Sequence, residues 1–115
     1  MSFVGIDIGT SFIKGAILNI MKPELIHIRR VPFPAPISGL DPLKYETDPV
    51  LILNIVRDLI TDLVNLAEGC EGIVMCGQMH SMVLMNDRGE GRSNCIGWRD
   101  QRALGRHPSG TGSYY

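Results

Sequence analysis

Asp7 and Lys14 are an acid and a base set inside an apolar run, Gly5-Ile6-Asp7-Ile8-Gly9-Thr10-Ser11-Phe12-Ile13-Lys14. A Gly-Thr-Ser turn separates them. An unpaired buried charge is costly or shifts its pKa until it is neutral, so both side chains need partners. Two arrangements meet that need. The charges can pair with each other across a hairpin, or point to solvent from an edge. Alternatively they form a polyanion site: the turn's N–H groups and hydroxyls face phosphate oxygens, Lys14 adds positive charge, and Asp7 holds a hydrated divalent cation.

Either arrangement requires strands on both sides of the turn. Residues 3–8 and 12–18 are short apolar runs rich in Val, Ile and Phe, which suit buried strands. Gly9 is expected to supply unusual backbone angles to the hairpin, with Thr10 and Ser11 supplying local hydrogen bonds. Residues 25–33 read as a third strand, an edge strand given Pro32. Together these form an antiparallel meander. His27 in this strand reads as structural or exposed.

Residues 34–47, broken by Pro34, Pro36, Gly39 and Pro42, read as a surface loop. A helix follows, with Thr47 or Asp48 as N-cap and Pro49 in its first turn. Asn54, Asp58, Thr61, Asn65 and Glu68 form its polar stripe. Ile52, Ile55, Val56, Leu59, Ile60, Leu63 and Leu66 form an apolar face that must pack on a sheet. Gly69 is the expected stop.

Residues 72–77 read as another buried strand, with Cys76 as a small core residue. A right-handed crossover after a helix places this strand parallel to the first. Ligand crevices of open α/β sheets lie outside the carboxyl ends of the strands. Asp7 to Ser11 and Gln78 to Ser81 then share one end of the sheet. Residues 82–86 are expected as a strand, 94–98 as strand or extended, 99–102 as the start of a polar, helical segment, and 107–115 as a turn-rich tail.

Composition bounds the rest. The chain has 115 residues, 44% hydrophobic and 20% charged, which fits a single globular domain. A net charge of −1 gives no footprint for nucleic acid or an anionic membrane. No apolar run reaches the ~20 residues that span a bilayer, and the N-terminus lacks the basic start of a signal peptide. Three cysteines (Cys70, Cys76, Cys95) without a Cys-x-x-Cys pair point to a reducing cytoplasm.

Gly5-Ile6-Asp7-Ile8-Gly9-Thr10-Ser11 with Lys14 resembles the first phosphate motif of the actin-like ATPases. Gly77-Gln78-Met79-His80-Ser81, followed by Trp98, Asp100 and Arg102, resembles the FGGY carbohydrate kinases, closest in wording to their xylulokinases. The resemblance covers residues 3–104. It implies an α/β, ribonuclease H-like (actin-like ATPase) domain with a mixed sheet, incomplete at its C-terminus, so that residues 1–115 read as a truncated N-terminal domain. It implies ATP-dependent phosphorylation of a sugar hydroxyl, of a ketose such as xylulose or a related sugar or sugar acid, with Mg2+. It places Asp7 at the metal; Gly9, Thr10, Ser11 and Lys14 at nucleotide phosphates; and Gln78, Met79, His80, Trp98, Asp100 and Arg102 at the sugar. Such side chains supply the convergent hydrogen bonds and apolar floor that a sugar needs.

Asp100 and Arg102, two positions apart, do not face each other on a helix, and a solvated turn is the alternative for them. The catalytic base is expected downstream, in no residue of this chain, so the chain alone is expected to be inactive. A homodimer is compatible with the full-length protein. The alternatives are a non-catalytic sugar- or phosphate-binding module, or a fragment of an actin- or chaperone-like ATPase.

Overall fold

The computed structural model of the chain describes residues 1–106 and 109–110. The turn-rich reading of the tail falls, for residues 107–108 and 111–115, outside the described residues. Two compact units are formed: Met1–Phe33 with Val50–Gln78, and Pro34–Pro49 with Met79 onward.

The first unit is a mixed sheet under a helix. Strands β1 (Ser2–Ile8), β2 (Phe12–Asn19) and β3 (Glu24–Pro32) make the expected antiparallel meander. Helix α1 (Pro49–Leu66) carries the chain over to β5 (Cys70–Gly77), which pairs parallel with β1. The strand order is β3-β2-β1-β5, so β3 and β5 are the edges. β4 is the short strand Glu46–Thr47, inside the segment expected to be loop.

Strand alternation decides which residues meet the helix. Val4 and Ile6 of β1 and Ile13 and Ile17 of β2 point to one face, where Val56, Leu59 and Leu63 of α1 cover them. All seven are buried. Burying such side chains contributes roughly 1.5–3 kcal/mol each relative to exposure. Gly15 lies under this contact, because a Cβ there would stand 2.6 Å from Leu63 Cδ1. The opposite stripe of α1, from Asn54 to Asn65, is exposed as its polarity requires. Gly69 adopts φ +61° just past the helix. There the Ser2 hydroxyl donates to the Glu68 carbonyl at 2.9 Å, tying the helix exit to the start of β1.

Three expectations fail in this unit, the first being Leu66, expected on the packed face of α1 but exposed at its end. β5 is not a buried strand: Ile73, Val74 and Met75 are exposed, and Cys76 is no core residue. It is an edge with one strand neighbour, and α1 packs over β1 and β2. Gly9 does not adopt a left-handed backbone; its need is spatial, set by the Phe12 carbonyl oxygen.

In the second unit β4 pairs antiparallel with β6 (Cys95–Ile96). The strand expected at residues 82–86 reduces to isolated bridges, Met82 with Ile96 and Met85 with Gly91. Side chains divert its ladder: the Leu84 N–H donates to Ser93 Oγ at 2.9 Å, and Asn86 Oδ1 accepts from the Arg88 and Glu90 N–H groups. Residues 99–102 do not start an α-helix; a single 3₁₀ turn spans Arg102–Leu104.

Candidate functional site

Each unit carries one candidate site. The first is the β1–β2 hairpin. Its turn closes through a hydrogen bond from the Gly9 N–H to the Phe12 carbonyl, 3.0 Å. A Cβ on residue 9 would stand 2.8 Å from that same oxygen, so glycine is dictated by the close approach of backbone. Thr10 and Ser11 are exposed at the tip. The Ser11 carbonyl accepts from the Phe33 N–H at 2.9 Å, and the Arg30 guanidinium lies 3.5 Å over the Phe12 ring, bracing the second half of the turn.

Asp7 and Lys14 are register partners on the sheet face away from α1. Lys14 Nζ lies 3.5 Å from Asp7 Oδ2, and their side chains are 52% and 45% exposed. The structure therefore realises the cross-hairpin pair. So exposed a pair contributes about 0–1 kcal/mol to stability, and both charges stay accessible to a ligand. On its other side Asp7 meets a residue that sequence reasoning had assigned to the core. Cys76 Sγ lies 3.5 Å from Asp7 Oδ1. The hydrogen bond to the carboxylate pushes the thiol pKa up, so the thiol is neutral. Gln78 extends this end of the sheet, its N–H donating to the Ile8 carbonyl at 2.9 Å. The parallel β1–β5 pairing thus brings Gln78 beside the end of β1, whereas Met79 to Ser81, expected at the same end, belong to the second unit.

The second site is a cleft of about 420 Å³ in the second unit, lined by His80, Ser81, Met82, Trp98, Asp100 and Arg102 with Ile96, Gly97 and Ala103. Four of the predicted sugar-site residues meet here: His80, Trp98, Asp100 and Arg102. Met79 does not line it and is 73% exposed. His80 holds φ +59°, the left-handed region that side chains other than glycine rarely occupy. Such strain persists where the surroundings enforce it, and it gathers at functional sites. Trp98 lies half exposed at the rim, with the Arg99 guanidinium 5.1 Å over its ring. The Ser81 hydroxyl is buried and, among the described residues, has no hydrogen-bond partner.

Asp100 and Arg102 form the rigid wall of the cleft. Arg102 Nε donates to Asp100 Oδ1 at 2.6 Å, and Nη2 donates to Oδ2 at 2.7 Å. They face each other because a turn, not a helix, joins them. The Tyr45 N–H adds a bond to Asp100 Oδ2 at 2.7 Å. The Arg102 hydrogen bonds, opposed by burial, hold the Asp100 carboxyl well below the usual carboxylate range. They push the Arg102 guanidinium further up from its already high value. Glu46, which no motif singles out, accepts from Arg102 Nη2 at 2.6 Å and from Asn94 Nδ2 at 2.7 Å. Its pKa is lowered, first by Asn94 and then by Arg102. Its partners lie 48 and 56 positions away, so no local spacing signals it.

Among the described residues no group of three His, Cys, Asp or Glu side chains could hold a metal ion. Asp7 alone, half exposed beside a neutral thiol, can offer one carboxylate to a cation that keeps most of its water. That donor set suits Mg2+, which takes one or two carboxylates and completes its shell with water and phosphate oxygens.

Residues 2–107 match the family model described as FGGY family of carbohydrate kinases, N-terminal domain. Among solved structures the chain is similar to a gluconate kinase from Lactobacillus acidophilus, with 29% identity and a TM-score of 0.77, covering 89% of this chain and 20% of that one. A ligand-bound xylulose kinase from Lactobacillus acidophilus gives the same values: 29%, 0.77, 89% and 20%. Plasmodium falciparum glycerol kinase with ADP follows at 19% identity and a TM-score of 0.72, covering 89% and 21%; at that identity the likeness is one of fold alone. The chain spans about a fifth of the length of these structures. No curated protein matches it.

Proposed function

Because the chain belongs to the FGGY family of carbohydrate kinases, we propose that it forms the opening part of the N-terminal domain of a cytoplasmic, ATP-dependent sugar kinase. The fold is that of the family, the actin-like, ribonuclease H-like α/β type. No described helix is long and apolar enough to cross a membrane. The reaction proposed moves the γ-phosphoryl group of ATP to a sugar hydroxyl, leaving ADP. The hydroxyl proton passes to a base assigned to no residue of this chain.

The observation that carries the reading is the convergence of His80, Trp98, Asp100 and Arg102 on one cleft. An aromatic platform beside fixed hydrogen-bonding groups is what a polyol requires. Gln78 and Met79 would complete the sugar's surroundings. At the hairpin, Thr10 and Ser11 would meet nucleotide phosphates, Gly9 would keep the turn close enough for them to do so, and Lys14 would leave Asp7 for a phosphate oxygen. Asp7 would carry Mg2+, whose charge offsets that of the transferred group; phosphoryl transfer depends on such positioning and neutralisation. A ketose such as xylulose, or a sugar acid such as gluconate, is the substrate class proposed. Three free cysteines, Cys70, Cys76 and Cys95, suit a reducing compartment.

Trp98 is the only tryptophan of the chain, so its fluorescence reports the cleft directly. Titration with xylulose, gluconate and glycerol should give a saturable change with at least one of them, reduced in His80→Ala. A flat response to all three refutes the sugar site. The chain alone should show no kinase turnover; turnover abolished by Asp7→Ala would show that the base lies within it.

A further inference from the structure

Lys14, Asp7 and Cys76 stand in one row across β2, β1 and β5, each the register partner of the next. Lys14 Nζ is 3.5 Å from Asp7 Oδ2, and Cys76 Sγ is 3.5 Å from Asp7 Oδ1 and 3.7 Å from the Ile6 carbonyl oxygen. One carboxylate is therefore engaged from both sides, each oxygen by a different strand. The two contacts differ in kind. The ammonium sits on a flexible stem and exerts an attraction that tolerates rotation. The thiol is carried on a single rotatable bond from a backbone held by the β1–β5 ladder, so its position is set by the sheet and one torsion.

We propose that Cys76 is a positioning residue for Asp7, its S–H fixing the side-chain rotamer and the plane of the carboxylate. The value of the arrangement lies in what happens when Lys14 turns toward an incoming polyanion: Asp7 loses its charged neighbour and keeps its neutral one. The thiol adds no charge to compete for a cation. The use made of the orientation rests on the cation reading of Asp7; the orientation itself does not.

The test is the χ1 rotamer of Asp7, read from three-bond couplings to its carboxyl carbon in the isotope-labelled 115-residue chain. Wild type and Cys76→Ser should show one rotamer, and Cys76→Ala an average of several. A single rotamer retained in Cys76→Ala overturns the proposal. A second readout leaves Cys76 in place: its S–H stretching band should move to higher wavenumber in Asp7→Ala, and a band that stays put also overturns the proposal. Mn2+ alone then probes the cation reading separately. Its line broadening around Gly9 should vanish in Asp7→Ala, weaken about threefold in Cys76→Ala and return in Cys76→Ser. Broadening indifferent to Asp7→Ala removes the cation reading, and the rotamer and the S–H band still decide the positioning role.

Discussion

Arg102 Nη2 donates to Glu46 Oε1 at 2.6 Å, joining residues 56 positions apart. Because the same guanidinium also grips both oxygens of Asp100, one side chain fastens β4 to the wall of the cleft. Lysine carries the charge but lacks the planar fork. Arg102→Lys should therefore destabilise the second unit by roughly 1–2 kcal/mol, and Arg102→Ala by more, since it leaves two carboxylates without their cation. Urea unfolding followed by Trp98 fluorescence measures this. An unchanged midpoint in Arg102→Ala would show that the network is ornamental.

The same network sets a pH dependence. Asp100 and Glu46 have pKa values lowered in the folded chain. The unfolded chain therefore binds more protons over the intervening range, and stability rises with pH there. The contribution is complete above the unfolded values of about 4, and is lost as pH falls through the folded ones. The Trp98-monitored midpoint should be level from neutral pH to about 5 and fall below about 4. In Asp100→Asn that acid slope should flatten. A slope identical to that of wild type would assign the acid sensitivity to other carboxylates.

These two carboxylates also mark where the sequence stopped being legible. The meander, the helix from Pro49 and the parallel return of β5 follow from local periodicity, turn residues and handedness, and each is present. His80, Trp98, Asp100 and Arg102 could be singled out because they sit in motifs. Glu46 could not: its role arises from a pairing between β4 and β6 that residues 34–47, rich in proline, conceal. Cys76 was misplaced for a related reason. Its apolar run reads as buried, but burial depends on which neighbours a strand has, and β5 has one.

Gly9 and Gly77 flank the hairpin end of the sheet yet differ in the space around them. A Cβ on residue 9 would stand 2.8 Å from the Phe12 carbonyl oxygen, a backbone atom that cannot yield without opening the turn. On residue 77 the nearest atom is Ile8 Cβ at 3.8 Å, an ordinary contact. Gly9→Ala should cost roughly 1–3 kcal/mol, and Gly77→Ala should stay within about 0.5 kcal/mol of wild type. Chemical unfolding followed by far-UV circular dichroism separates the two; equal losses would contradict the steric reading.

β5 and β3 are both edges, and only one of them is guarded. β3 carries Arg29, Arg30 and Pro32, features that discourage further pairing. β5 from Gly72 to Gly77 has no charge, and Val74 is 62% exposed. The purified chain should self-associate as concentration rises. Val74→Lys should shift it toward monomer, with no such effect from Ile28→Lys on β3. Sedimentation velocity gives the answer, and a wild-type monomer at all concentrations would exclude the idea.

His80 and His27 share a left-handed backbone, at φ +59° and +52°, but not a setting. His27 lies where the β2–β3 register shifts, a bulge whose geometry asks for such a residue. His80 lies on the cleft, where the strain fixes the direction of a side chain proposed to touch the sugar. Glycine relieves the strain in both places, so His27→Gly and His80→Gly should each raise stability by about 1 kcal/mol. Their effects on the cleft should diverge. His27→Gly should leave the Trp98 response to sugar intact, whereas His80→Gly should weaken it while the protein becomes more stable. His80→Ala keeps the strain and loses the imidazole, so it should lose the response with no gain in stability. A His80→Gly variant that is stabilised and still responds fully would mean that the strain serves the local turn and not the ligand.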